Sequence, residues 1–325
     1  MRAMGGFGGK LVSTHRSLVS GGCALTDDNL VNFFIVGAPK CGSTSLFHAL
    51  PRHPMITFGR AKEPHAFIGR LTLRGKTSME AYQKLYDFES EFKVFGDASI
   101  MHLYSPDAAG KIAQYNPEAK ILIMLREPED FIVSYHHEQV YNGVENDASL
   151  DVCWDLSENR RQGKDIPVGC PDARLLDYTE IARFDEQVER FLDVFGKDQV
   201  RVGFLADIKK TPDLFIERLL EFLEVHQSPD ILLEQHASAK THKRSSVRNV
   251  IRVLSHPYVL SAWKKLRSVL GISGRLKLLH RIKVANTVSG EKAKIPPQLR
   301  ETIRKHYADS WNRLNNLAKD VRLLS

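Results

Sequence analysis

Residues 35–50 read IVGAPKCGSTSLFHAL and form the most informative stretch of the chain. An apolar strand ends at a glycine, a lysine lies inside a tight turn, and small hydroxylated residues open a helix. In a unit of this kind, the backbone N–H groups of the turn and of the helix start converge on one anion. The stretch therefore predicts a phosphate-binding loop, although a plain strand-to-helix turn with a solvated lysine is an alternative.

The position of the lysine separates this loop from the loop that binds ATP or GTP. The nucleoside-triphosphate loop has the form GxxxxGK[ST], with its lysine directly after the second glycine. Gly37 and Gly42 have this spacing, but Ser43 stands where the lysine would be, and the lysine of this loop is Lys40. The loop is therefore not an ordinary nucleoside-triphosphate site.

Four apolar runs, at residues 32–37, 93–98, 120–126 and 199–205, alternate with segments of helical period. Apolar runs without polar alternation are typical of strands that are covered on both faces. The sequence thus predicts an α/β fold with a central, mainly parallel β-sheet flanked by helices, similar to P-loop proteins.

The organisation along the chain suggests one large domain over residues 30–325. Residues 1–29 predict a flexible leader, with a targeting peptide as the alternative. Two polar stretches that contain glycine and proline, at 59–90 and 140–175, predict long surface loops that contact substrate. Residues 297–319 predict a C-terminal helix that packs on the sheet.

Neither a membrane span nor a metal site is expected. No window approaches the roughly 20 apolar residues that a membrane span needs. The four cysteines are irregularly spaced, which indicates neither a disulfide framework nor a zinc site. They are Cys23, Cys41, Cys153 and Cys170. We therefore expect a cytoplasmic protein in a reducing compartment.

The positive charge is concentrated in one segment. The net charge is +7, and residues 235–290 contain twelve lysines and arginines with no acidic residue. Such a segment suits a phosphorylated cofactor, an acidic polymer or peripheral contact with a membrane surface, although a merely solvated basic face explains it equally well. We expect no nucleic-acid partner.

The first loop, GAPKCGSTSL, resembles the PKxGTT or PKxGST loop of sulfotransferases that use 3′-phosphoadenosine 5′-phosphosulfate. The resemblance implies that Lys40 contacts the bridging and leaving oxygens of the donor, and that the loop amides hold its 5′-phosphate. The residues that carry these implied roles are Lys40, Cys41, Gly42, Ser43, Thr44 and Ser45.

A second motif, LREPEDFIVSYHH, is similar to the segment with which the same family binds the 3′-phosphate of the donor. It supplies Arg126 at a strand end and Ser134 about two helical turns later on one face. Family members also close a basic loop over the cofactor. By position, the stretch HASAKTHKRSS corresponds to that loop, with Lys240, Lys243 and Arg244 as candidates.

The segment RAKEPHAF at residues 60–67 resembles the KEPHFF segment of carbohydrate sulfotransferases, including the heparan sulfate group. The resemblance implies that Glu63 is the general base, with His65 as a further catalytic candidate. An acceptor hydroxyl must lose a proton as it attacks sulfur, so the chemistry asks for such a group. His102, His136 and His137 are rival bases.

Asp97 aligns with the acidic residue of the EKTPSYF-like segment in heparan-type enzymes and is a further catalytic candidate. Two residues depart from that type, because Ala98 replaces a lysine and Ile68 replaces an aspartate. These departures weaken the expectation of heparan-like substrate recognition.

The resemblance therefore predicts an enzyme that transfers a sulfuryl group in line from 3′-phosphoadenosine 5′-phosphosulfate to a hydroxyl of a carbohydrate or glycolipid. Lys40 would stabilise the leaving phosphate, Glu63 would take the acceptor proton, and no metal would be needed. One alternative is an ATP- or GTP-dependent kinase with a divergent loop. The other is a non-catalytic protein that binds adenosine bisphosphate or a polyanion.

Overall fold

The computed structural model describes residues 30–68, 71, 77–228, 231, 233, 239–242, 287–290 and 295–324. Its centre is a five-stranded sheet in the order β2-β3-β1-β4-β5, in which every neighbouring pair is parallel. The strands are β1 (Phe33–Gly37), β2 (Ile56–Phe58), β3 (Val94–Asp97), β4 (Lys120–Leu125) and β5 (Val200–Phe204). The predicted α/β class and all four predicted strands are confirmed. Strand β2, which has only three residues, was not predicted.

Helices surround this sheet, and most begin where the sequence places them. They are α1 (Ser43–Ala49), α2 (Met79–Gln83), α3 (Ala108–Tyr115), α4 (Pro128–Asn142), α5 (Leu150–Asp155), α6 (Ser157–Arg161), α7 (Phe184–Gln199), α8 (Leu205–Lys210), α9 (Pro212–Phe222) and α10 (Pro297–Ala318). Proline is the first residue of α4, α9 and α10, where its missing N–H is tolerated. Short 3₁₀ helices add Leu50–Arg52 and Ala173–Leu176.

Strand β1 is the central strand, and its carboxyl end lies where the strand order switches direction. All five residues of β1 are buried, and the strand pairs with β3 on one side and with β4 on the other. Ligands of open α/β sheets bind outside the carboxyl ends of the strands at such a switch in strand order. The segments that follow β1, β2, β3 and β4 therefore meet at one edge of the sheet.

The prediction of an irregular loop over residues 140–175 was wrong for its central part, where α5 and α6 lie. Polar composition obscured a small core, because Leu150, Cys153 and Trp154 are buried. An internal ion pair also fixes this region, with Arg160 Nη1 2.9 Å from Glu145 Oε2 and both side chains 1% exposed. The segment is thus a folded insertion.

The C-terminal helix is confirmed, since α10 covers Pro297–Ala318 and packs against α4 and α7. Within the basic segment, β6 (Ala239–His242) pairs antiparallel with β7 (Thr287–Gly290), and β6 lies beside α4. Lys240 belongs to β6. Lys243, Arg244 and the leader at 1–29 lie outside the described residues. Among the helices that are described, none combines the length and apolar character that crossing a bilayer requires.

Candidate active site

The loop after β1 has a backbone that few side chains tolerate. Lys40 has a φ of 63° and Gly42 a φ of 97°, both in the left-handed region. Left-handed backbone is unfavourable for a residue with a Cβ, and such residues cluster where surrounding structure enforces a functional geometry. Gly42 also packs closely, because an added Cβ would lie 3.2 Å from Leu205 Cδ1. The loop thus holds the Lys40 side chain in one defined direction.

The side chains of the loop differ in how accessible they are. Cys41 and Ser43 are buried, whereas Thr44 and Ser45 are half-buried. The Cys41 thiol donates to the Pro39 carbonyl at 3.3 Å, and burial raises the pKa of the thiol well above its ordinary value. Cys41 can therefore serve a ligand through its backbone amide but not as a thiolate.

Lys40 is held by a carboxylate of helix α4. Its Nζ lies 2.8 Å from Glu138 Oε2, and the two side chains are 26% and 39% exposed. Glu138 was not predicted from the sequence, although it lies four residues after Ser134. Residues four apart on a helix share a face, so this spacing could have identified it.

The same face of α4 begins with a second ion pair. Arg126, at the end of β4, places Nη2 3.2 Å from Asp130 Oδ2. Asp130, Ser134 and Glu138 follow one another at four-residue intervals along the helix. The Nε of Arg126 is buried and has no hydrogen-bond partner in the part of the chain that the structure describes. An unpaired buried donor of this kind is suited to an incoming anion.

Lys62 joins the loop to the segment after β2. Its Nζ lies 3.0 Å from Thr44 Oγ1 and 2.7 Å from Glu63 Oε1. Glu63 and His65 have left-handed φ values of 56° and 53°, so this segment is conformationally constrained as well. The structure thus brings Glu63, the predicted base, to the phosphate loop through a lysine that was not predicted to act.

The ionisation of Glu63 is dominated by its neighbours. Burial alone would raise the pKa of Glu63, but the neighbouring His65 imidazole and the Lys62 ammonium outweigh burial and lower the pKa to about 2. His65 Nε2 lies 3.7 Å from Glu63 Oε2, and its backbone N–H donates to Ser99 Oγ at 3.0 Å. Glu63 is therefore ionised, and His65 helps to orient it.

Asp97 and His102 are both buried beneath the candidate site. Tyr82 donates its hydroxyl to Asp97 Oδ2 at 2.8 Å, and Asp97 is 1% exposed. Burial raises the pKa of Asp97 despite hydrogen bonds from Ser99 and Tyr82. His102 is fully buried against the rings of Phe67 and His65, and burial lowers its pKa well below the ordinary value. Buried residues of this kind are suited to supporting the site from beneath, and a catalytic role for Asp97 stays a prediction.

The two histidines of α4 have different surroundings. His136 is buried, with Nε2 3.2 Å from the Asp147 carbonyl. Partial burial and the positive charge of Lys40 lower the pKa of His137. His137 is thus the one of this pair whose pKa Lys40 lowers, and its role as a rival base stays a prediction. The described residues contain no group of three or more metal-ligating side chains.

The sequence model of the sulfotransferase domain matches residues 31–271. The chain belongs to the sulfotransferase family. Carbohydrate sulfotransferase 15 of Rattus norvegicus is 26% identical over 259 residues, which cover 60% of this chain and 44% of the relative. Bifunctional heparan sulfate N-deacetylase/N-sulfotransferase 1 of Caenorhabditis briggsae is 22% identical over 227 residues, covering 66% and 25%. The chain thus spans less than half the length of these sulfotransferases.

A solved structure of similar extent supports the fold of this sulfotransferase. The sulfotransferase from Alicyclobacillus acidocaldarius is 25% identical, with a TM-score of 0.62 that covers 89% of this chain and 95% of that chain. The family resemblance that the loop predicted is confirmed. The roles of individual residues, Lys240, Lys243 and Arg244 included, stay predictions.

Proposed function

We propose that the chain transfers the sulfuryl group of 3′-phosphoadenosine 5′-phosphosulfate to a hydroxyl of a saccharide or glycolipid. The observation that carries the proposal is the tie through Lys62 between the phosphate loop at Thr44 and the carboxylate of Glu63. The loop that would bind the donor and the carboxylate that would accept the proton then lie on either side of Lys62. The matches to a carbohydrate sulfotransferase and a heparan sulfate enzyme support a saccharide as the acceptor class.

The residues of the site fit the proposed donor. Lys40 and the amides of residues 41–45 would hold its 5′ side, and Arg126 with Ser134 would hold its 3′-phosphate. The unpaired Arg126 Nε supports this assignment, because guanidinium donors match phosphate oxygens in a forked geometry. Lys240, in the strand beside α4, and Lys243 and Arg244 are candidates to cover the nucleotide.

When bound, the donor supplies a sulfuryl group whose leaving group is a phosphate. Lys40 would stabilise the negative charge that develops on the leaving oxygen, which is the main electrostatic demand of such a transfer. To do so it must exchange the Glu138 carboxylate for the donor. Lys40 and Glu138 are both partly exposed, so this exchange does not strand a buried charge.

Glu63 would accept the proton of the acceptor hydroxyl. With a pKa of about 2 it is a weak base while Lys62 holds it. Lys62 also reaches Thr44 in the phosphate loop, so a negatively charged donor there would draw the ammonium away from Glu63. The basicity of Glu63 would then rise as the site fills, and His65 would keep its carboxylate oriented.

Calorimetry with adenosine 3′,5′-bisphosphate, ATP and ADP, followed by an assay with labelled donor and saccharide acceptors, tests the proposal. We expect binding of the bisphosphate in preference to ATP, and transfer of label that Glu63→Gln abolishes while bisphosphate affinity is kept. Glu80→Gln, in an exposed Lys84–Glu80 pair, is the matched control. Preferential ATP binding would favour the kinase. Bisphosphate binding without transfer to any acceptor would favour the non-catalytic alternative.

A further inference from the structure

Arg300 lies beside Arg126, although it comes from the other end of the chain. Arg300 Nη1 is 2.9 Å from Asp130 Oδ1, and Arg126 Nη2 is 3.2 Å from Asp130 Oδ2. Because these oxygens belong to one carboxylate, the two guanidinium groups converge at the start of α4. Neither the motifs nor the charge pattern of the sequence indicated this arrangement.

Helix α10 fixes the position of Arg300. Leu299, Ile303 and Tyr307 are buried at four-residue intervals and form the face that packs on the protein. Tyr307 also donates its hydroxyl to the Tyr178 carbonyl at 2.7 Å. Arg300 follows Leu299 directly and thus lies at the edge of this buried face, next to α4.

We propose that Arg300 is a second arginine of the 3′-phosphate site, an inference that rests on the proposed function. The Arg300 side chain is 40% exposed, so it can turn from Asp130 to a ligand without breaking contacts in the protein interior. A phosphate monoester offers three acceptor oxygens and more negative charge than the Asp130 carboxylate. The phosphate then bridges the two arginines in place of Asp130, which holds them together in the free site.

Arg304 provides a matched control one helical turn later. It is 56% exposed, and its Nε lies 3.2 Å from Glu129 Oε1, in the residue next to Asp130. Arg304 and Arg300 therefore make the same kind of ion pair between the same two helices. Only the carboxylate that Arg300 contacts also holds Arg126.

The test compares Arg300→Gln, Arg300→Lys and Arg304→Gln in calorimetry with adenosine 3′,5′-bisphosphate and with adenosine 5′-monophosphate. We expect Arg300→Gln to weaken bisphosphate binding about ten-fold, the effect of one charged hydrogen bond, and to leave monophosphate affinity unchanged. The affinity of Arg300→Lys for the bisphosphate should lie between those of the wild type and Arg300→Gln, because lysine keeps the charge but lacks the paired N–H donors of a guanidinium. Arg304→Gln should change neither affinity.

Two results would overturn the inference. One is an equal loss of affinity for both nucleotides in Arg300→Gln, which would mean that Arg300 only supports α4. The other is an unchanged bisphosphate affinity. A wild-type chain that binds neither nucleotide would instead overturn the proposed function itself, so the two failures are distinguishable.

Discussion

The Lys40 ammonium lies 2.8 Å from the Glu138 carboxylate, so helix α4 neutralises the lysine that we propose to stabilise the leaving phosphate. The same relationship recurs at Lys62 with Glu63 and at Arg126 with Asp130. Each of the three cations thus has a carboxylate partner that an anionic ligand must displace. The affinity for an anionic ligand therefore depends on how much more strongly the ligand pairs with these three cations than their carboxylate partners do.

Replacing Glu138 by glutamine should strengthen the binding of adenosine 3′,5′-bisphosphate. The variant frees Lys40 from its competing partner, and a partly exposed pair is expected to be worth about two- to five-fold in affinity. Calorimetry measures the change. Glu221→Gln, from the exposed pair with Arg218 on α9, is the control and should leave affinity unaltered. Weaker binding in Glu138→Gln would show that Glu138 organises the loop and does not compete with the ligand.

Replacing Lys40 by methionine should lower the turnover number by about 10²–10³, the effect of losing one donor that stabilises developing charge. The side chain is partly exposed, so the melting temperature should stay close to that of the wild-type chain. Turnover is measured at saturating donor. A loss of only a few-fold would remove Lys40 from the role of stabilising the leaving phosphate.

Replacing Lys62 by glutamine should shift the pH dependence of kcat/KM. Burial raises the pKa of Glu63, whereas His65 and Lys62 lower it to about 2, so removing the ammonium lets the pKa rise. Only ionised Glu63 can accept the proton, and the acidic limb of the profile must therefore move to higher pH. The variant should lose activity at a higher pH than the wild type, in which Glu63 stays ionised down to about pH 2.

The position of the limb, and not the absolute rate, is the relevant readout, because Lys62 also contacts Thr44. Lys84→Gln, which removes an exposed lysine from Glu80, should leave the profile unchanged. Coincident acidic limbs for wild type and Lys62→Gln would mean that Glu63 is not the base.

Replacing Gly37 by alanine should destabilise the fold at the base of the phosphate loop. An added Cβ would lie 2.5 Å from Leu103 Cβ and 2.7 Å from the Ile100 carbonyl oxygen, and the φ of Gly37 is +155°. Overpacking of this kind reduces the free energy of unfolding by about 1–3 kcal/mol. Chemical denaturation measures it.

Gly110→Ala is the opposite case and serves as the control for Gly37→Ala. Gly110 lies inside α3, and nothing lies within 4 Å of an added Cβ. Alanine is the better helix former there, by roughly 0.5–1 kcal/mol. Destabilisation in both variants would point to a general intolerance of substitution and not to the packing of Gly37 against Leu103.

The sequence predicted the fold because strands and helices follow local patterns along the chain, whereas Lys40, Glu63 and Arg126 were identified by motifs that resemble a family, and their roles stay predictions. Strand β2 was missed because three residues show no period. Lys62 bonds to Thr44, 18 residues away, and Arg300 pairs with Asp130, 170 residues away. Such contacts arise only when the sheet and α10 assemble, so no spacing in the sequence indicates them. Asp97 was identified by its motif, yet the motif indicated neither its burial nor its hydrogen bond from Tyr82.

The final prediction concerns the insertion after α4, in which Glu145 and Glu158 both pair with an arginine but differ in burial. Arg160 pairs with Glu145, both side chains 1% exposed, and also donates to the Leu176 carbonyl at 3.3 Å. Glu145 in turn accepts from the Tyr178 hydroxyl. Glu158 pairs with Arg161 at the surface, and its side chain is 61% exposed.

Replacing Glu145 by glutamine leaves the Arg160 charge buried without its counter-charge and should lower the free energy of unfolding by about 3–5 kcal/mol. Glu158→Gln should change it by less than about 1 kcal/mol, because its pair with Arg161 is exposed and screened. Denaturant unfolding compares the two. The double variant Glu145→Gln with Arg160→Met should recover part of the loss, since no unpaired buried charge remains. If Glu145→Gln were as mild as Glu158→Gln, water would have to reach the Arg160–Glu145 pair, and the insertion would be held by its apolar residues alone.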